Sequence, residues 1–332
     1  MDQKYIEAIR ALPLNLQQLL MNVSETTQKR VREICIRAEK PLVISTFDGE
    51  RFVSKNGTLQ RNFYDNLYIV SKKEIMECVK VLTEYSLHSY QDKINMGYIT
   101  IQGGHRAGIV GSCVLENNEI KSVNDISSIN LRIARQVKGV ADCLVRNIYK
   151  DQVYSTLIAG APASGKTTML RDIASSLANG TIGYFTKISI IDERGELAAV
   201  KNGVAQNDVG VLTDVLDGYQ KGIGMLIAIR SMSPKAIILD EIGGYGDTVA
   251  IRQSLNAGVK VIATVHAGSM EELLRKRHIV ALMNEGAFEK IVFLDGADKP
   301  CTVKEIIHTS VNESAEKAML YRHSTIKENA PC

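Results

Sequence analysis

Residues Gly160 to Thr168 read GAPASGKTT, directly after the apolar run YSTLIA and directly before Met169, Ile173 and Leu177 at spacing four. The stretch satisfies GxxxxGK[ST], and its flanks read as a strand and an amphipathic helix. Few features restrict a chain as tightly, because a glycine-rich turn between a buried strand and a helix start belongs to an open α/β sheet. The spacing has a chemical reason. Successive backbone N–H groups must wrap a polyphosphate, so Gly160 and Gly165 keep side chains out of the approach while Ala161, Pro162, Ala163 and Ser164 complete the turn. Lys166 is expected to reach the β- and γ-phosphates and Thr167 to offer its hydroxyl to Mg²⁺, with Thr168 closing the cofactor-binding stretch at the positive end of the helix. ATP and Mg²⁺ are the cofactors this pattern calls for.

The rest of the second half alternates strand and helix. ISIID, KAIILDE (freed from the preceding helix by Pro234) and VKVIATVH read as strands, Ser269-x-x-Glu272 caps a helix, and EKIVFL reads as the last strand. These runs are β-branched and nearly continuous in apolarity, which predicts a parallel sheet covered on both faces. Asp240 and Glu241 end the AIILDE strand. Asp240 is expected to hold a water of the Mg²⁺ shell, and Glu241 to orient and deprotonate the attacking water. Neighbouring residues of a strand point to opposite faces, so the two carboxylates can serve one site only if the strand end bends. ISIIDERGEL places Asp192, Glu193, Arg194 and Glu196 at a second strand end, and VIATVHAGS places Thr264 and His266 at a third. Ligands of open α/β sheets bind beyond the carboxyl ends of the strands, so these groups are expected to converge, with His266 sensing the nucleotide or assisting hydrolysis.

The first half reads as α+β. VREICIRAEKPLVIST gives two strands broken at Pro41, SKKEIMECVKVLTEYS a helix with Ser71 and Glu74 as a capping box, and GYITIQGGHRAGIVGSCVLE two strands joined at Gly103-Gly104. The chain of 332 residues is expected to divide into a smaller N-terminal α+β domain over 1–148, a nucleotide-binding domain over 149–310 and a polar, mobile tail over 311–332. A net charge of +3, with no basic run interleaved with aromatics, gives no case for nucleic acid as partner. MDQKYIEAIR is not a secretory signal, and no apolar run approaches the roughly 18 residues of a spanning helix, so a cytoplasmic location is expected. The six cysteines have no CxxC pair and no framework spacing, and read as reduced thiols.

The order glycine loop, acidic box, Asp-Glu strand end and ATVHAGS resembles the secretion and traffic ATPases of type II and type IV systems, RecA-like motors with Walker A, Asp, Walker B and His boxes. More narrowly, IIDERGELAAV, QNDVGVLTDVLDGYQKGIGM, IRSMSPKAIILDEIGG, GGHRAGIVG and INLRIAR resemble the stage III sporulation AA family of endospore-forming bacteria, over a stretch from Val31 to Leu294. Two places depart from the pattern: Ala161-Pro162-Ala163-Ser164, where a bulkier loop is usual, and Leu212-Thr213-Asp214, where an arginine is expected in place of Leu212.

The resemblance implies a RecA-like P-loop motor domain, an ATP hydrolase that forms a homo-oligomeric ring, a hexamer, with ATP between subunits. It also implies action at the cytoplasmic face of a membrane-embedded sporulation channel between mother cell and forespore, with the protein in the mother cell and peripheral to the membrane through that partner. By the same carry-over Asp192, Glu193 and Glu196 occupy the Asp box, with Asp192 joining Thr167 and Asp240 at the metal, and His266 the His box. Arg106, Arg132 and Arg135 fall where such motors bring arginines toward the phosphates, and Arg194 and Arg230 are further candidates for an arginine acting in trans. Two other readings stay open: a nucleic-acid translocase on the same core, disfavoured by the charge pattern, and an ATP-dependent assembly scaffold, disfavoured by Glu241.

Overall fold

The computed structural model describes residues 1–63 and 65–309, so the tail expected over 311–332 lies outside the described residues. The chain forms two units: Met1–Arg135 together with Ala199–Gln206, and Gln136–Ala198 together with the described residues from Asn207 onward.

The first unit opens with α1 (Gln3–Ile9) and α2 (Leu14–Met21) and continues through β1 (Val31–Arg37), β2 (Val43–Thr46), β3 (Gly49–Val53) and β4 (Leu59–Gln60). Then come α3 (Lys72–Leu82), β5 (Tyr98–Thr100), β6 (Arg106–Glu116) and β7 (Glu119–Arg132). The strands form one seven-stranded antiparallel sheet in the order β4-β3-β2-β1-β7-β6-β5. The Ser71–Glu74 capping box forms as the sequence predicts, and α3 buries Ile75, Cys78, Val79 and Leu82. The turn at Gly103-Gly104 needs glycine, since Gly103 has φ +82° and a Cβ there would lie 2.7 Å from both Glu7 Oε2 and His105 Nε2. His105 itself is fully buried, and its Nδ1 accepts the Ala134 N–H at 3.0 Å. Burial, seconded by the nearby Lys4, pushes its pKa down to about 4, against an opposing pull from Glu7.

The segment 199–206 belongs to this unit because its polar side chains are satisfied there. Val200–Lys201 pairs with Val204–Ala205, and the nearly buried Lys201 ammonium meets Glu84 at 2.7 Å and the Tyr90 hydroxyl at 2.5 Å. Burial alone would lower the lysine pKa, but hydrogen bonds with Glu84 and Tyr90 raise it. Gln206 accepts the Gly103 N–H at 2.9 Å.

In the second unit α4 (Asp142–Ile148) precedes β8 (Thr156–Gly160), α5 (Lys166–Ala178), β9 (Ile188–Asp192) and β10 (Thr213–Asp217). Next are α6 (Lys221–Ser231), β11 (Ala236–Leu239), α7 (Tyr245–Asn256), β12 (Lys260–His266), β13 (Lys290–Leu294) and β14 (Val303–His308). The sheet order is β10-β9-β11-β12-β8-β13-β14, parallel throughout except for β13 with β14. β8, β9 and β11 are buried along their whole length, as continuous apolarity requires of strands covered on both faces.

Two expectations shift. The division falls at Arg135 and not at residue 148, because Asp172 of α5, nearly buried, accepts the Gly139 and Ala141 N–H groups at 3.1 and 2.8 Å and holds the approach to α4 in the second unit. EKIVFL is not the last strand: β14 follows it, and both β14 and β10 are part-exposed edge strands whose weak apolarity hides them in sequence. Cys35, Cys78, Cys113 and Cys301 are free thiols, as read. Among the described residues no helix is long and apolar enough to cross a membrane.

Candidate nucleotide site

The carboxyl ends of β8, β9, β11 and β12 lie side by side. Gly160, where β8 gives way to the loop, is in register with His266 of β12, and Leu239 of β11 with Ala263. The loop then turns through Ala163 (φ +62°) and Gly165 (φ +89°) into α5. Gly165 is the helix N-cap and makes no side-chain cap, which leaves first-turn N–H groups pointing out of the helix start. Both glycines are sterically required: a Cβ on Gly160 would lie 2.4 Å from Ser164 Oγ, and one on Gly165 would lie 2.4 Å from Cys301 Sγ. From the far side, the Cys301 N–H braces the loop by donating to the Ser164 carbonyl at 2.8 Å.

Lys166 is nearly buried, and its ammonium donates to the Gly160 and Ala161 carbonyls at 3.0 and 2.8 Å. Burial lowers its pKa, while Asp240 and Glu241 pull it back up. Thr167 donates its hydroxyl to Asp240 Oδ2 at 2.5 Å, and Thr264 donates to Asp240 Oδ1. Glu241 has φ +53°, so the chain bends at the strand end, and Asp240 and Glu241 line one acidic pocket together with Asp192, Glu193, Arg194, Glu196 and Lys221. Glu241 Oε1 stands 3.4 Å from His266 Nε2, and both side chains are half-exposed.

These residues fit Mg²⁺ and a nucleoside triphosphate: an uncapped helix start with glycine-cleared approach, a lysine at its first turn, and a hydroxyl and a carboxylate already in contact. Asp192 is a different matter. Its carboxylate, almost fully buried, accepts the N–H groups of Glu196 and Leu197 on Oδ1 (2.8 and 3.2 Å) and of Leu197 and Ala198 on Oδ2 (3.1 and 2.8 Å). Arg171 of α5 grips the same loop through the Leu197 and Glu196 carbonyls at 2.7 and 2.5 Å. Glu193 pairs with Lys221 at 3.3 Å. Among the described residues no group of three or more His, Cys, Asp and Glu is placed to hold a metal ion.

The arginines divide by unit. Arg194 lines the pocket, and Arg230 is exposed on α6. Arg106, Arg132 and Arg135 belong to the first unit, where Arg106 lies 4.7 Å over the Tyr98 ring and Arg132 pairs with Glu33 at 3.0 Å. Arg135 holds Asp2 at 2.8 Å and the Gln28 carbonyl at 2.9 Å. Sequence reasoning missed Lys221 and Arg171, which no motif flags, and it saw Thr264 only as a strand-end residue.

The family model described as "Sporulation stage III, protein AA" matches residues 2–313 of the chain. Stage III sporulation protein AA of Bacillus subtilis (strain 168) is 36% identical over 301 residues, covering 90% of this chain and 94% of that protein. Among solved structures, the ATPase DotB of Legionella pneumophila superposes with a TM-score of 0.55 at 13% identity, covering 93% of this chain and 84% of that one. The pilus retraction motor PilT, solved with bound ADP, superposes with a TM-score of 0.54 at 11% identity over 79% and 74% of the two chains. At such identities the likeness speaks for a shared RecA-like fold.

Proposed function

Because the chain belongs to the Sporulation stage III, protein AA family, we propose that it is a Mg²⁺-dependent ATP hydrolase that assembles into a ring and drives a membrane-embedded complex between mother cell and forespore. One observation carries the enzymatic part: the Thr167 hydroxyl and the Asp240 carboxylate meet at 2.5 Å beside the uncapped start of α5. That is the pairing a phosphate-binding loop and an acidic strand end must make to share a metal.

In this reading the α5 N–H groups and Lys166 hold the phosphates, and Thr167 and Asp240 hold the metal. When bound, Mg²⁺ supplies positive charge against the polyphosphate. Glu241 takes the proton of the attacking water, and His266, within reach of it, reports the state of the site. Asp192, although placed at the metal by resemblance, acts by shaping the loop 193–198. Arg194 is the arginine best placed to act within its own subunit, while Arg132, Arg135, Arg106 and Arg230 are candidates to act on a neighbour. The working location is the mother-cell cytoplasm, at the membrane through a partner, with six subunits and no nucleic acid.

The test is ATP hydrolysis per subunit against protein concentration, with mass by light scattering, for wild type and Glu241→Gln. Turnover should rise with assembly, and the variant should assemble without turning over. Assembly driven by ATP with no hydrolysis by either protein would replace the motor with a scaffold. Equal turnover per subunit in a strictly monomeric preparation would remove the ring from the mechanism.

A further inference from the structure

Asp240 and Glu241 are consecutive at a strand end, yet both line one pocket. An extended chain would send them to opposite faces. The bend that prevents this is the left-handed backbone of Glu241, φ +53°, a conformation that a residue with a side chain seldom adopts and that its surroundings must enforce.

The enforcing contacts come from one residue of the adjacent strand. Thr264 is fully buried in β12, and its hydroxyl accepts the Glu241 N–H at 2.7 Å. The same hydroxyl donates its proton to Asp240 Oδ1, and the Thr264 carbonyl accepts the Ile242 N–H at 2.9 Å. A hydroxyl has one proton and two acceptor sites, and a carboxylate only accepts, so the direction of this relay is forced. Three successive residues, 240 to 242, are thereby fixed to Thr264. Its bond to Oδ1 also leaves Oδ2 as the oxygen that meets Thr167.

We propose that Thr264 is a positioning residue for the hydrolytic step: its side-chain hydroxyl holds the left-handed peptide at Glu241, which brings the water-activating and metal-holding carboxylates into one site. The inference rests on the ATPase reading above. Thr264 is fully buried beneath the two carboxylate-bearing residues it bonds. It acts through Asp240 and Glu241, so its loss disturbs the geometry of turnover more than the capture of nucleotide.

The test compares Thr264→Val, which keeps the shape and removes the hydroxyl, with Thr264→Ser, which keeps the hydroxyl, and with Thr264→Ala as a second variant without it. Steady-state ATP hydrolysis gives kcat and KM, and thermal melting reports folding. The valine and alanine variants should lose kcat by about a hundredfold, with KM changed by no more than about threefold and cooperative melting retained. The serine variant should recover most of the rate. An active wild type matched by Thr264→Val or Thr264→Ala, or a serine variant as slow as they are, overturns the inference. A wild type that releases no phosphate overturns the ATPase reading instead.

Discussion

Thr167 Oγ1 and Asp240 Oδ2, 73 positions apart in the chain, stand 2.5 Å apart at the carboxyl edge of the parallel sheet. The contact joins the first turn of α5 to the end of β11, strands and helix being fixed by burial on both faces of the sheet. A rotamer change at either residue breaks this bond.

Substitution should separate Asp240 from Asp192. Asp240→Asn should abolish the Mg²⁺ dependence of nucleotide binding, measured by titration of a fluorescent ATP analogue with and without the metal. Asp192→Asn should leave that dependence intact and instead cost about 2 kcal/mol of stability, because one acceptor oxygen is lost to the amides of Glu196, Leu197 and Ala198. If Asp192→Asn removed the metal response without lowering the melting temperature, its assignment to the loop would be wrong.

Glu241→Gln should keep nucleotide affinity within about threefold while lowering turnover by about 10² to 10⁴, the range of a lost general base. His266→Ala should slow turnover less, since His266 is half-exposed and reaches Glu241 only at 3.4 Å. A histidine variant slower than the glutamine variant would reverse the two roles.

Gly165→Ala should weaken ATP binding at least about tenfold and lower the melting temperature. The left-handed backbone at φ +89° costs an L-residue about 1–2 kcal/mol, and the new Cβ would meet Cys301 Sγ at 2.4 Å and the Cys301 N at 2.8 Å. Adding Cys301→Ala removes the sulfur but not the backbone contact, so the double variant should remain impaired. Full recovery in the double variant would show that the thiol was the whole obstacle.

The buried His105 makes stability depend on pH. Its folded pKa is lowered to about 4, against about 6.5 for an unfolded histidine. Between these values the unfolded chain binds a proton that the folded chain refuses. The stabilising contribution is therefore complete above pH 6.5 and is lost as pH falls toward 4, by about 3 kcal/mol in total. Denaturant melts of the full chain at pH 7 and pH 5 should show a larger drop for wild type than for His105→Gln. Parallel stability curves for the two proteins would contradict this account.

Much of the site was legible before any fold was known. GxxxxGKT between a strand and an amphipathic helix, and a β-branched strand ending in Asp-Glu, are local patterns, and local patterns carry through to structure because periodicity and backbone freedom act over a few residues. The α3 capping box and the glycine turn before His105 were readable for the same reason. Less legible were β10 and β14, whose edge positions leave only part of each strand buried.

The sequence by itself determined the kind of site, the order of its boxes and the parallel sheet that carries them. Only the tertiary structure set which groups each carboxylate meets. Asp192 and Asp240 look alike as acids at the ends of apolar strands, yet one is spent on three neighbouring amides and the other meets Thr167 and Thr264. The bend at Glu241, the grip of Arg171 on the Asp-box loop and the placing of 199–206 with the first unit were equally hidden. Each depends on hydrogen bonds between residues distant in the chain, and which donor meets which acceptor is set by strand register and packing, quantities that no short stretch of sequence contains.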